Sequence, residues 1–584
     1  MKKQWLLTPE TTNSQIDTLL KELMSYSRKN DNATVDAYRI FAQLLLQRNI
    51  SNVKEAIQFN TLQFDQLHDP YLMKDMSMAV NRIVKAKETH EKIMVYGDYD
   101  VDGTTSVALM VSFLQPLFPN LVYYIPDRYS EGYGVSFQSV DYAEKEGVSL
   151  IIALDCGIKA NDKIDYANEK NIDYIICDHH TPGAILPKAT AILDPKREDC
   201  AYPYKELSGC GIGFKLCQAL QSSLKLDFDL SSLVDFMAIS IACDIVPLTG
   251  ENRVLAALGL EKINTSPRPS IKALLGEMVP NSMVRISHLV FQIGPKINAA
   301  GRIESGKTAV DMLLSEEQAK VNTFATQINT FNSERKEKDK SITDEALEMI
   351  QSNPKLHHKN TNVLFQPEWH KGVVGIVASR VIEKYYKPTI ILTQSSEGII
   401  GGSVRSVKGF DVYKALEQCT DHMVQFGGHK YAAGLTLRND QLEGFIAQFE
   451  SVVTEQMEVE RFTESISYHA EIALEHITPL LKTLVDKLEP FGPQNMTPTF
   501  ITKNVIDSGK SRAVGGDKSH LKLEITDPNS GVTVPAIAFG LGHLESEVQS
   551  GQAMDLAYTI DINYWNNREI LQLMVKDIQF TDRQ

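Results

Sequence analysis

Through the first half of the chain, short apolar runs alternate with segments of helical spacing. Lys92 to Tyr96, Val148 to Leu154, Asp173 to Cys177 and Thr190 to Leu193 are near-continuous apolar runs of strand length, the pattern of strands buried on both faces. Residues 104–118 and 159–170 lie between them with helical periodicity, so the order predicts βαβ units and a parallel sheet. Leu and Phe spaced three and four apart in 35–48 predict polar helices over residues 1–50. From 308 to 351 one long polar helix is predicted, with apolar teeth at Val310, Leu313, Leu314, Val321, Phe324 and Ile328. A second α/β region follows, with strands at Asn362 to Phe365 and Thr389 to Thr393, a helix through Gly372 to Tyr385, and glycine-rich loops. Beyond about 458 the period falls to two: Tyr468 to Leu474, Phe500 to Val505, His520 to Ile525, Val532 to Phe539, Met554 to Ile562 and Ile570 to Val575 predict a small β-barrel. The expected class is therefore α/β: a helical region 1–50, a parallel-sheet domain 51–307, a connecting helix 308–351, a second α/β domain 352–457 and a barrel 458–584.

Composition narrows the picture modestly. The 584 residues are 43% hydrophobic and 23% charged, ordinary for a globular chain of several domains. With a net charge of -15, any contact with nucleic acid must come from a local basic groove rather than the global field. Seven scattered cysteines with no CxxC pair predict reduced thiols in a cytoplasmic protein. No apolar run approaches the roughly 18 residues of a membrane span, and the start lacks a signal-peptide core, so neither membrane nor export is expected. The mixed run Glu334 to Lys340 predicts a solvated helix face.

The chemistry concentrates at strand ends. Asp98, Asp100 and Asp102 alternate directly after an apolar run; if 93–102 is a strand, the three share one face at roughly 6.6 Å spacing. Two carboxylates about 4 Å apart repel by roughly 4 kcal/mol at an effective dielectric near 20, so such a wall calls for a cation. Asp155, Asp178-His179-His180 and Asp244 also terminate apolar segments, and ligands collect at the carboxyl ends of parallel strands. Adjacent histidines on a strand end are expected to point to opposite sides, one to ligate and one to face substrate. Carboxylates with one or two imidazoles suit Mn2+ or Mg2+ better than thiolate-seeking zinc, and two such ions promote in-line phosphoryl displacement. Gly209-Cys210-Gly211-Ile212-Gly213 is glycine-rich, but no GK[ST] follows and no ATP site is implied.

Together, Gly97 to Gly103, Leu154 to Gly157, Asp178 to His180 and Asp244 resemble the DHH phosphoesterase superfamily. Within it, Ile125 to Gly134, Ile297 to Arg302, Trp369 to Gly375, Gly401 to Ser406, Phe426 to Gly434 and Pro490 to Asn495 resemble the RecJ exonuclease family, over about residues 50 to 575. The resemblance implies two α/β lobes joined by a long helix, with an OB-fold after them. It implies a single-strand-specific 5′ to 3′ DNA exonuclease of recombination and repair, using two ions, Mn2+ or Mg2+. One ion would rest on Asp100 and Asp155, the other on Asp102, Asp155, His179 and Asp244. Asp155, His180 and Asp98 would serve catalysis, with His180 facing the scissile phosphate. Arg128, Tyr133, Arg302, Ser403, Arg405, Gly428 and His429 would hold the strand, the arginines by bidentate phosphate contact. One departure is Tyr96, where the pyrophosphatase branch has a histidine, so the first ion would be held by fewer protein ligands. Implied partners are single-stranded DNA, a single-strand-binding protein and a helicase, with a monomeric enzyme. The alternatives are a DHH phosphatase of short oligonucleotides, cyclic dinucleotides or pyrophosphate, which would not need the barrel, and a non-catalytic replication scaffold, which would not need the ligand set.

Overall fold

A computed structural model of the chain describes residues 3–7, 11–27, 29, 31–276, 283–456, 464–565 and 568–581. The expected boundary at 457/458 lies outside the described residues. Five parallel strands form the first sheet: β1 (Lys92–Gly97), β2 (Val122–Tyr124), β3 (Val148–Leu154), β4 (Asp173–Cys177) and β5 (Ala191–Leu193). Their order is β2-β1-β3-β4-β5. The chain therefore reverses direction across the sheet between β1 and β3, and a crevice opens beyond their carboxyl ends. Helix α1 (Val101–Leu114) is buried almost throughout, against α2 (Gly209–Leu224) and α3 (Val234–Cys243).

The acidic triplet does not continue β1. The strand stops at Gly97, Asp100 caps α1 by accepting the Gly103 N–H at 3.0 Å, and Asp102 lies in the first helical turn. Aspartate is among the strongest N-caps, and α1 is apolar all round because both its sides are covered; the alternating Asp-X-Asp text imitates a strand only while that burial is unseen.

The second lobe is a mixed sheet of β6 (Asn362–Phe365), β7 (Thr389–Ser396), β8 (Ile399–Arg405), β9 (Gln425–His429) and β10 (Ala432–Arg438), in the order β9-β10-β8-β7-β6. The glycine-rich stretches expected as loops are thus strands. Glycine weakens local strand preference, but the ladder partners, such as Gly402 against Leu392 and Leu435, supply the pairing from afar.

The connecting helix is broken. Lys307–Leu314 ends before α4 (Gln318–Ser352) begins, and Val310 and Leu313 of the first piece and Val321 and Ile328 of the second all enter the first lobe's core. The charged run on α4 is only partly solvated. Arg335 and Asp339 are buried, and Asp339 accepts two near-parallel bonds from Arg380 of the second lobe, at 3.0 and 2.9 Å.

Residues 1–50 are not a separate unit. Gln4–Leu7 pairs in parallel with Ser465–Tyr468, Trp5 donates its indole N–H to Asp577 at 2.8 Å, and Leu19, Phe41 and Leu45 share a core with Phe500, Leu523 and Tyr558 of the seven-stranded C-terminal sheet. Among the described residues no helix is long and apolar enough to cross a membrane.

Candidate metal centre and nucleic-acid cleft

Beyond β1, β3 and β4 the chain makes three tight exits, each placing an acid or an imidazole. Asp155 leaves β3 with φ +60°, a left-handed conformation that costs an ordinary L-residue roughly 1–2 kcal/mol and that aspartate tolerates better than most. Its own N–H is tied to Cys177 O at 2.9 Å. The His179 Nε2 stands 3.1 Å from Asp155 Oδ1, 3.5 Å from Asp244 Oδ2 and 4.0 Å from Asp102 Oδ2. Asp155, His179 and His180 form one group whose ligand atoms lie within 4.8 Å of one another, and Asp102, His179 and Asp244 form another.

These donors converge without satisfying each other. Asp155 Oδ2, Asp244 Oδ2 and both His179 ring nitrogens are buried and make no hydrogen bond, although buried polar atoms of native proteins rarely lack one. Burial, followed by the neighbouring carboxylates, holds Asp155 and Asp244 well above the usual aspartate range. Burial likewise lowers His179 to about 4, leaving a neutral imidazole. Oxygen donors around a neutral imidazole fit Mn2+ or Mg2+.

Asp102 is held differently. The Gly209 and Cys210 amides at the start of α2 donate to its two oxygens at 2.7 and 3.0 Å, and the Ser240 hydroxyl donates at 2.6 Å. The glycine run, which implies no ATP site, therefore positions a carboxylate. Nothing in the sequence pairs Ser208-Gly209-Cys210 with an acid about a hundred residues earlier, and no local signal could have found it.

Asp178 has a role that strand patterning does not reveal. It accepts N–H groups from Ile158, His179 and His180, and the His180 Nδ1–H at 2.7 Å. Burial opposes its charge, yet these bonds bring it down to about 2. Burial also opposes a charge on His180, but the Asp178 carboxylate overrides it and raises the imidazole. The two histidines do not point to opposite sides: both lie past the end of β4, with ring centroids 4.6 Å apart. Pleated alternation ends where the strand does.

Asp98 is fully buried and, like the proposed ligand Asp100, stands outside both ligand groups; its Oδ1 accepts the Gly134 N–H at 3.4 Å. Tyr96, also buried, donates its hydroxyl to Gly134 O at 2.7 Å.

The centre opens into a cleft of about 1110 Å³ between the lobes, which Asp100, His180 and Asp244 line from one side. Arg128, Tyr133 and Arg302 come from the first lobe, and Ser403, Arg405, Gly428 and His429 from the second. Every strand-contact candidate in the sequence thus reaches one cavity. Arg302 is lowered to about 10 by burial and by the nearby Arg128, Arg335 and Arg405, and Arg405 is lowered by burial and Arg128. Arg302 gives one N–H to Gly372 O at 2.6 Å, Arg405 one to Ser403 Oγ at 2.9 Å, and Arg128 lies 4.6 Å over the Tyr99 ring. Among the described residues none of Arg128, Arg302 and Arg405 forms an ion pair. Three guanidinium groups crowded together, none of them ion-paired, make an anion site.

The chain matches three family models: the DHH family N-terminal domain over residues 92–241, the DHHA1 domain over 358–455 and the RecJ OB domain over 468–577. The single-stranded-DNA-specific exonuclease RecJ of Bacillus subtilis is 36% identical over 550 residues, covering 93% of this chain and 68% of that protein. The crystal structure of RecJ in complex with Mn2+ from Thermus thermophilus superposes with a TM-score of 0.81 at 24% identity, over 99% of this chain and 80% of that one. A crystal structure of exonuclease RecJ bound to manganese is 31% identical, with a TM-score of 0.57 over 66% of this chain and 96% of that one. The chain belongs to the RecJ family of DHH single-stranded-DNA-specific exonucleases.

Proposed function

We propose that the chain hydrolyses single-stranded DNA from its 5′ end, with two divalent cations, Mn2+ or Mg2+, held by Asp100, Asp102, Asp155, His179 and Asp244. The observation that carries this reading is that the unsatisfied carboxylate of Asp244 and an arginine cluster without ion pairs line one cleft. Bound there, such cations acidify a water and stabilise the attacking and leaving oxygens of an in-line displacement. Asp155, whose Oδ1 stands 3.1 Å from His179 Nε2, serves as the shared ligand. His180, fixed by Asp178, presents its Nε2 to the phosphate being cleaved. Arg128, Arg302, Arg405 and Ser403 take the terminal 5′ phosphate, which sets the polarity: a strand seated by its 5′ end offers the metal centre its first phosphodiester.

The cleft's volume is at the upper limit of the roughly 300–1,000 Å³ of small-molecule sites, and it leads on. A cavity of about 180 Å³ beside Cys243, Arg335 and Ile376 shares Arg302 with it, and a cleft of about 660 Å³, which Lys296, Lys336 and Lys340 border, shares Arg335 with that cavity. The C-terminal barrel extends the grip. A single-strand-binding protein or a helicase is the kind of partner that would present such ends in the cytoplasm during recombination and repair.

Digestion of a single strand labelled at either end, with Mn2+, Mg2+ or chelator and beside the blunt duplex, tests the proposal. Metal-dependent release from the 5′ end of the single strand alone is expected. Cleavage of dinucleotides or pyrophosphate with the polymer left intact would overturn the substrate assignment and keep the metal centre.

A further inference from the structure

His180 has two ring nitrogens and both are taken. Nδ1 donates to Asp178 at 2.7 Å, and Nε2 lies 3.1 Å from the Tyr133 hydroxyl. Whichever of the two carries the proton, the phenol oxygen occupies the one nitrogen that could meet a phosphate. An entering strand and Tyr133 therefore compete for a single position.

The tyrosine is mounted to move. It stands between Gly132 and Gly134, with φ of +87° and +80°, and a β-carbon on either glycine would meet no atom within 4 Å. Glycine in that region turns without steric penalty. The residue is 54% exposed, and its ring stands at 81° to Tyr99 and 79° to His180, stacked on neither. The far side of the hinge is fixed: Tyr96 donates to Gly134 O and Asp98 accepts the Gly134 N–H. Tyr96 thus acts on the loop opposite the centre, and Asp98, which lies outside both ligand groups, acts with it.

We infer that Tyr133 is a positioning residue that withholds His180 from the cleft until the phosphate of an entering strand displaces its hydroxyl, swinging on a hinge that Tyr96 and Asp98 anchor through Gly134. This rests on the assignment of the cleft to single-stranded DNA. The released ring turns to the terminal base, where stacking of the usual strength contributes. Binding of the correct polymer thereby exposes the histidine it needs, and a free phosphate without a base gains only half of the exchange.

Tyr133→Phe keeps the ring and deletes the latch. On a 5′-phosphorylated single strand with Mn2+, kcat/KM should rise about two- to tenfold, the size of one ordinary hydrogen bond, through KM and not through kcat. In chelator, the same strand should bind Tyr133→Phe more tightly than wild type by a similar factor, and in a His180→Ala background Tyr133→Phe should change nothing. Weaker binding in both backgrounds, an unchanged KM, or a fall in kcat would overturn the latch. If wild type itself fails to digest the strand, the substrate assignment has failed instead, so the two outcomes are separable.

Discussion

A β-carbon added to Gly209 would stand 2.5 Å from the β-carbon of Asp155, while the Gly209 amide donates to Asp102 at 2.7 Å. One residue at the start of α2 thus spaces two carboxylates of the centre, one by contact and one by hydrogen bond. Gly209→Ala must push Asp155 aside, and a displacement of about 1 Å in a reacting constellation costs on the order of 100-fold in rate. Steady-state digestion should show that loss in kcat, with the far-ultraviolet circular dichroism unchanged. Activity within threefold of wild type would mean that Asp155 does not need its observed position.

The centre should also govern stability, with a definite sign. Asp155 and Asp244 have folded-state values raised well above the ordinary 3.8, so from 3.8 up to those values the folded chain binds more protons than the unfolded one. Stability of the metal-free protein must then fall as pH rises through that window. Thermal unfolding in chelator should show a midpoint that climbs as pH is lowered from about 8 to about 6.5, below which the depressed His179 opposes the trend, and added Mn2+ should stabilise more at the higher pH. Asp155→Asn should abolish turnover while raising the chelated midpoint by a few degrees, since about 1 kcal/mol moves a domain of 150–250 residues by roughly 2–4 °C. A midpoint independent of pH in chelator would mean that these carboxylates do not repel.

Asp178 tests how far orientation matters. Asp178→Asn keeps the shape but loses the charge that fixes the Nδ1–H of His180. Hydrogen bonds to a charged partner contribute about 1.5–3 kcal/mol, so kcat should fall by roughly 10- to 150-fold. Because Asp178 lies outside both ligand groups, the Mn2+ concentration that gives half-maximal activity should move far less than kcat. An equal shift in both would place Asp178 among the ligands.

Truncations should respect the shared core. Removing residues 1–50 takes Leu19, Phe41 and Leu45 from the apolar cluster they form with Phe500, Leu523 and Tyr558. Full exposure of each such side chain costs about 1.5–3 kcal/mol, so the shortened enzyme should show an early unfolding transition by calorimetry, with the two α/β lobes unfolding later. Cutting near 457 should likewise unmask the N-terminal helices, and long strands should lose more affinity than dinucleotides do. A single unchanged transition after the N-terminal deletion would show that the barrel closes its core alone.

Affinity for single strands should fall with salt despite the net charge of -15, at a slope of about -0.7 per phosphate contact. Substitution of Arg405 by Gln should reduce that slope by about one such contact in a fluorescence anisotropy titration. A slope that stays the same would place Arg405 outside the strand's path.

What the sequence determined was what depends on local pattern. Apolar runs bounded by helical segments marked β1, β3, β4 and β5, because a strand covered on both faces must be apolar wherever its partners lie. Acids and histidines just past those runs marked the centre, because parallel strands present their carboxyl ends together. What only the tertiary structure decided depends on partners remote along the chain. Asp98, Asp100 and Asp102 read as one strand face until the burial of α1 assigns them to a turn and a helix start. The glycine-rich β8, β9 and β10 lack intrinsic strand preference and acquire it from the ladder. Gly209 gains its role from two aspartates, 54 and 107 residues earlier, and the N-terminal helices find their core in a barrel at the opposite end of the chain. Hydrogen bonds and packing act over a few ångströms whatever the separation along the chain, so a linear reading sees the groups that do chemistry and not the contacts that hold them in place.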